Sequence, residues 1–207
     1  MSKFTPPTFL FLELIDSHIN YVFHGLRLIF QNDTSKHNIH TTVRGPYRHP
    51  IPASTIEKFQ DKLGNIPLLI QGTGYFAERN NYVVFLRMHQ ENLRRIWSKR
   101  DYPISVYGFN PHISVYVGNN ERLALDILSF LKREDLALFC YDYKLTAYVS
   151  KQENLFADSD FIEDVPSSRI SDRIMSTSSG GTGFIGRGAI KSDLFERAKV
   201  LLKSHKG

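Results

Sequence analysis

Two short segments of this sequence carry side chains suited to chemistry on a phosphate group. His40 is followed two residues later by Thr42, and His112 is followed two residues later by Ser114, each among apolar residues. No other histidine in the chain is followed by a hydroxyl side chain at this spacing. Imidazole titrates near neutral pH, so a pair of histidines can supply one base and one acid together. The pattern therefore predicts acid–base chemistry, with hydroxyl groups as ligands of the phosphate.

Strand geometry would place the partners of each segment on one face, because residues two apart in a β-strand point to the same side. We therefore expect His40 and Thr42 to share a face with Arg44, whose charge could neutralise a phosphate. The same rule groups His112 and Ser114 with Tyr116. Three aromatic residues are candidates for stacking on a nucleobase: Tyr47, Phe76 and Tyr116.

Other functions remain open at this stage. Two histidines lack the third and fourth ligands of a recognisable zinc site, so we expect no metal and no cofactor, although His37 and His49 could complete one. The formal charge of +5 and the aromatic residues also suit a non-catalytic module that binds RNA. A third alternative is a hydrolase of cyclic oligonucleotide immune signals. No feature of the sequence separates this alternative from an enzyme that processes the ends of RNA chains by the same acid–base chemistry.

The elements that must position these side chains follow from apolar periodicity and turn residues. We predict strands at 21–30, 38–44, 66–76, 81–88, 109–117 and 136–149, and helices at 54–63, 89–99, 122–132 and 191–203. Ser54 and Glu57 have the spacing of a helix-capping box. The apolar face of the last helix indicates docking on the protein's own surface. This succession predicts an α+β fold with antiparallel sheet and outer helices.

The chain divides by composition into a domain at 1–155 and a tail at 156–207, which reads as a flexible acidic and Ser/Gly-rich segment followed by a basic helix. Cys140 is the single cysteine, so no intrachain disulfide can form and a cytoplasmic location is expected. The apolar stretch at 8–15 is too short for a membrane span and lacks the features of a signal peptide. We expect a monomer with no membrane association.

These motifs resemble the two-histidine (2H) phosphoesterase superfamily, which includes RNA 2′,5′ ligase-like proteins and cyclic nucleotide phosphodiesterases. The resemblance lies in the segments from His40 to Val43 and from His112 to Val115, and more weakly in the glycine-rich segment from Gln71 to Phe76. It covers about residues 20 to 150 and leaves the tail without a counterpart. It implies a bilobal fold with a pseudo-twofold cleft, in which the two histidines and two hydroxyls act on 2′,3′-cyclic phosphates, 2′,5′-linked or cyclic nucleotides, or RNA ends.

Overall fold

A computed structural model describes residues 8–35, 37–47, 49–78, 80–97, 110–149, 184–185, 188–189 and 193–205 of the 207-residue chain. The strands are β1 (Thr8–Leu14), β2 (His40–Tyr47), β3 (Leu68–Glu78), β4 (Asn81–His89), β5 (His112–Gly118), β6 (Ala137–Cys140), β7 (Tyr143–Val149), β8 (Phe184–Ile185) and β9 (Gly188–Ala189). The helices are α1 (Ser17–Gln31), α2 (Ala53–Leu63), α3 (Glu91–Trp97), α4 (Glu121–Glu134) and α5 (Leu194–Lys203). The predicted flexible segment at 156–183 lies outside the described residues.

Two antiparallel sheets carry the fold. One has the strand order β2-β1-β7 and the other β5-β4-β3-β6, while β8 and β9 form a separate pair. The predicted α+β class with antiparallel sheets is confirmed. In each large sheet a strand–helix–strand unit supplies an edge strand: β1-α1-β2 in the first sheet and β4-α3-β5 in the second. Both candidate motifs therefore lie on edge strands.

The segment predicted as a strand at 21–30 is instead the middle of helix α1. Its buried residues recur every three or four positions, which is the period of a helix: Ile19, Val22, Phe23, Leu26, Ile29 and Phe30. The carboxylate of Asp16 accepts hydrogen bonds from the backbone N–H groups of His18 and Ile19, so it caps the first turn. Packing of this face outweighs the strand preference of its aromatic and β-branched residues.

Strand β1 is the central strand of the first sheet, and no element was predicted for it. Its residues alternate between buried and half-buried, with Leu10, Leu12 and Leu14 fully buried in the core. The prediction of one long strand at 136–149 is also wrong. It divides into β6 and β7, which pair with β3 and β1 respectively and so belong to different sheets.

The remaining helices follow the predicted periodicity more closely. In α4 the predicted face of Leu123, Ile127, Phe130 and Leu131 is buried, and Asn120 caps the helix. In α2 the predicted cap is wrong: Pro52 occupies the capping position and no side chain caps the helix.

The predicted docking of the last helix on the protein's own surface is confirmed. Leu194 and Ala198 of α5 are buried, and Phe195 contacts the ring of Tyr21 edge-on at 5.5 Å. Arg197 Nε donates to the carboxylate of Glu134 at 2.9 Å. Helix α5 therefore packs against α1 and α4.

Candidate functional site

His40 is the first residue of β2. Its Nδ1–H donates to the backbone carbonyl of Asn38 at 3.2 Å, because a carbonyl oxygen can only accept. Its ring stacks on Phe11 of the neighbouring strand, with centroids 4.4 Å apart and planes inclined by 17°. Thr42 lies directly opposite Phe11 in the β1–β2 ladder and is exposed. The histidine ring is thus fixed at one nitrogen and on one face, and a proton exchange that keeps this hydrogen bond takes place at Nε2.

His112 is the first residue of β5 and has the same surroundings. Its Nδ1–H donates to the carbonyl of Asn110 at 2.7 Å, and its ring lies 4.5 Å from that of Phe85 on the neighbouring strand. Ser114 is opposite Phe85 in the β4–β5 ladder. The ring of Phe76 meets His112 edge-on at 5.6 Å. The candidate Phe76 therefore lies beside a histidine.

The backbone around the two motifs also matches. The carbonyl before each histidine accepts a hydrogen bond from the neighbouring strand: Ile39 from Leu14 at 2.8 Å, and Pro111 from Met88 at 2.9 Å. Each strand then shifts its register just after the hydroxyl residue, between Thr42 and Arg44 in β2 and between Ser114 and Tyr116 in β5. The two edge strands therefore share one local geometry built from unrelated parts of the sequence.

A direct hydrogen bond joins the two motifs. The backbone N–H of His112 donates to Oγ1 of Thr41 at 3.1 Å, and Thr41 is 2% exposed. The residue between His40 and Thr42 thus touches the second histidine residue. This bond brings the beginnings of β2 and β5 together, although the two strands belong to different sheets.

The register shifts overturn two expectations about which residues share a face. An extra residue in a strand disrupts the alternation of side chains, so the residues that follow change sides. Arg44 pairs with the core residue Leu10 and is 1% exposed. Tyr116 pairs with the core residue Val84 and is 5% exposed. The predictions that Arg44 and Tyr116 share the faces of the two histidines are wrong.

Tyr47 follows Arg44 to the inner side of the sheet. It pairs with buried Thr8, and its ring lies 5.6 Å from the guanidinium of Arg44, which also lies 5.1 Å from the ring of Phe59. Burial raises the pKa of Tyr47 and the charge of Arg44 partly offsets this. Tyr47 therefore lies on the core side of the first sheet, and its stacking on a nucleobase stays a prediction.

Sequence reasoning missed the aromatic residues that support the histidines. On the first sheet, the ring of Tyr148 stacks on Phe11 at 5.0 Å. On the second, Phe85 lies across Gly74, where an added Cβ would come within 2.1 Å of the Phe85 ring. The only local signal was an asparagine two residues before each histidine, together with the glycine at position 74.

Burial and charge act on His112. Burial lowers its pKa most strongly, the hydrogen bond to the Asn110 carbonyl raises it, and the charge of Arg87 lowers it further. Arg87 lies opposite His112 in the ladder, and its guanidinium is 6.0 Å from the Phe85 ring. On the first sheet, the residue opposite His40 is Glu13, whose carboxylate lies 3.4 Å from Nζ of Lys144. The two halves thus match in backbone and differ in charge.

Within the part of the chain that the structure describes, no three His, Cys, Asp or Glu side chains converge as metal ligands. His37 and His49 are exposed. Among the same residues, no helix is long and apolar enough to cross a membrane. Comparisons with protein-family models, curated proteins and solved structures find no match for this chain.

Proposed function

We propose that this protein is a metal-independent phosphodiesterase of the two-histidine (2H) type. It acts on 2′,3′-cyclic phosphates, 2′,5′-linked or cyclic nucleotides, or RNA ends. His40 and His112 are its acid–base pair, and Thr42 and Ser114 hold the phosphate oxygens. The bilobal arrangement that goes with this function places one sheet on each side of a cleft related by pseudo-twofold symmetry.

One observation carries the proposal: the matched geometry of the two motifs and their contact. Each histidine begins an edge strand, donates from Nδ1 to the carbonyl two residues earlier, and lies against a phenylalanine of the next strand. The bond from His112 N–H to Thr41 links the two strands. A single histidine on a strand has many structural explanations, whereas two with the same fixed tautomer suit paired proton transfer.

The reaction on a 2′,3′-cyclic phosphate needs two proton transfers. The neutral histidine removes a proton from water at Nε2 while the water oxygen forms a bond to phosphorus. One of the two ribose oxygens leaves as its bond to phosphorus breaks, and the protonated histidine supplies its proton. Thr42 and Ser114 donate hydrogen bonds to the non-bridging oxygens, which orients the phosphate and stabilises its developing charge. Because imidazole carries both protons, these steps require no metal ion.

The test is turnover of a panel of 2′,3′-cyclic mononucleotides, 2′,5′-linked oligonucleotides and cyclic dinucleotides, with the product ends identified. We expect His40→Ala and His112→Ala each to lower kcat by about 10²–10⁴-fold, the usual contribution of a positioned acid or base. His18→Ala is the matched control, because His18 is exposed on α1 and is not in either motif. Activity should persist in a chelator and follow a bell-shaped pH profile.

Full activity in either folded histidine variant would refute the assignment. Loss of activity in chelator, restored by zinc, would favour a metal site. RNA affinity that survives in the double histidine variant, with no turnover of any substrate, would identify a binding module instead. Turnover of cyclic dinucleotides alone would select the immune-signal alternative.

A further inference from the structure

A groove opens beside His112 on the second sheet. Its volume is about 390 Å³, within the range of small-ligand pockets. Six of the residues that line it carry the argument: Arg87, His89, Glu91, Arg94, Asn110 and Pro111. Asn110 is also the residue whose carbonyl fixes the His112 ring. The groove is therefore continuous with the second half of the candidate site.

The groove is lined with positive charge. Arg87 and Arg94 are both exposed and come from β4 and α3 respectively. Among the described residues that line the groove, Glu91 is acidic, and its carboxylate accepts a hydrogen bond from Arg95 at 2.8 Å, which offsets its charge. His89 donates from Nε2 to the carbonyl of Gln71 at 3.0 Å. This set of groups suits a phosphate of a bound ligand.

The groove follows the direction of β4. One face of the strand carries every second residue, here Phe85, Arg87 and His89, so each of them lies about 7 Å from the next. The Phe85 ring contacts the His112 ring, and the next residue on that face, Arg87, lies opposite His112 in the β4–β5 ladder. Arg94 then extends the positive surface away from the motif. A single extended nucleotide unit spans a comparable length.

On this basis, and resting on the proposed function, we infer that Arg87 and Arg94 form a second phosphate subsite, which binds the phosphate adjoining the reacting one. The substrate is then an oligonucleotide chain and not a mononucleotide. The chain leaves the site on the His112 side, over β4 and α3. On the opposite side the charge of Lys144 is offset by Glu13.

The experiment compares two substrates with the same reacting end: a 2′,3′-cyclic mononucleotide and a pentanucleotide ending in that cyclic phosphate. We expect the wild-type protein to prefer the pentanucleotide in kcat/KM. Arg94→Gln should lower kcat/KM for the pentanucleotide about fivefold, the effect of losing one exposed charge-assisted contact, and leave the mononucleotide unchanged. Arg122→Gln is the matched control, since it removes the same charge from an exposed residue of α4 that does not line the groove.

A second measurement does not depend on turnover. In the His40→Ala/His112→Ala protein, the affinity for the pentanucleotide is measured by fluorescence anisotropy over a range of salt concentrations. Losing one phosphate contact should reduce the slope of log affinity against log salt by about 0.7 in Arg94→Gln but not in Arg122→Gln.

Each outcome decides one of the two proposals. Equal effects of Arg94→Gln and Arg122→Gln, or a wild-type protein without preference for the pentanucleotide, would overturn the subsite and leave the proposed function standing. Absence of turnover on these two substrates and on the rest of the substrate panel would refute the proposed function alone. In that case the salt slope decides the subsite: a reduced slope in Arg94→Gln supports it, and an unchanged slope overturns it.

Discussion

Gly74 offers a test of how the second histidine is held in place. Gly74 lies opposite Phe85 in the β3–β4 ladder, and the Phe85 ring covers the space that a Cβ would occupy. In Gly74→Ala the new methyl group would lie 2.1 Å from one ring carbon, where ordinary contacts begin at 3.4 Å. The ring must therefore move by more than about 1 Å, a displacement large enough to disturb a catalytic group. The Phe85 ring also contacts the rings of His112, at 4.5 Å, and Phe76, at 5.4 Å.

Two effects are expected from Gly74→Ala. Overpacking should reduce the free energy of unfolding by about 1–3 kcal/mol. Displacement of the His112 ring should lower kcat about 10²-fold, the usual result of misplacing a reacting group by about 1 Å. A looser site would also admit water to His112. Because burial is the main cause of its lowered pKa, that pKa should rise towards its ordinary value.

The assays are urea unfolding, steady-state kinetics and an NMR titration of the His112 ring. Gly25→Ala is the matched control, because a Cβ there would lie 2.5 Å from the ring of Phe195, in the contact between α1 and α5. It should destabilise the protein to a similar degree and leave both the kinetics of the folded protein and the His112 titration unchanged. An unchanged His112 pKa and kcat in folded Gly74→Ala would refute the positioning argument.

Three further predictions concern pH, the buried arginine and the link between the motifs. Burial lowers the pKa of His112 and of His24, so near and below the ordinary histidine pKa of 6.5 the unfolded chain binds more protons than the folded protein. The free energy of unfolding should therefore fall as the pH drops through 6.5. The fall should be less steep in His112→Gln, and urea unfolding at several pH values measures both. A rise in stability on acidification would contradict this. Arg44→Ala should lower the free energy of unfolding by about 2–4 kcal/mol through lost packing and leave KM within about twofold, because Arg44 is buried away from His40. A large rise in KM without destabilisation would show instead that Arg44 binds the phosphate. Thr41→Val leaves the His112 N–H without its acceptor and should lower the free energy of unfolding by about 1–3 kcal/mol, whereas Thr41→Ser should restore it. Equal stability of the Val and Ser variants would show that this hydrogen bond contributes nothing.

The sequence was sufficient for features that depend on local pattern. The β3–β4 hairpin and helix α4 follow from alternation and helical periodicity, and both histidines do lie on strands. Helix α1 was misread because its residues 21–30 are rich in strand-forming types. The spacing of its buried side chains was the better guide, since tertiary packing outweighs individual propensities.

The surroundings of the motifs depend on long-range pairing and could not be read from the sequence. Phe11 and Phe85 support the histidines only because β1 and β4 pair with β2 and β5. The division between β6 and β7 reflects which sheet each strand joins. The register shifts after Thr42 and Ser114 cannot be predicted from the types of the residues there, because a bulge is a property of two paired strands.

The shared register shift implies that the charge of the proposed phosphate ligand is met from a different strand. In both motifs the exposed face ends at the hydroxyl residue, because the next side chain of that face turns into the core. The turned residues, Arg44 and Tyr116, then anchor their strands and cannot reach a ligand beside the histidines. A cation at the site has to come from a strand that keeps its alternation. Arg87 on β4 meets that requirement, since it is exposed and lies opposite His112. The same geometry that removes Arg44 from the candidate site thus makes β4 the source of positive charge.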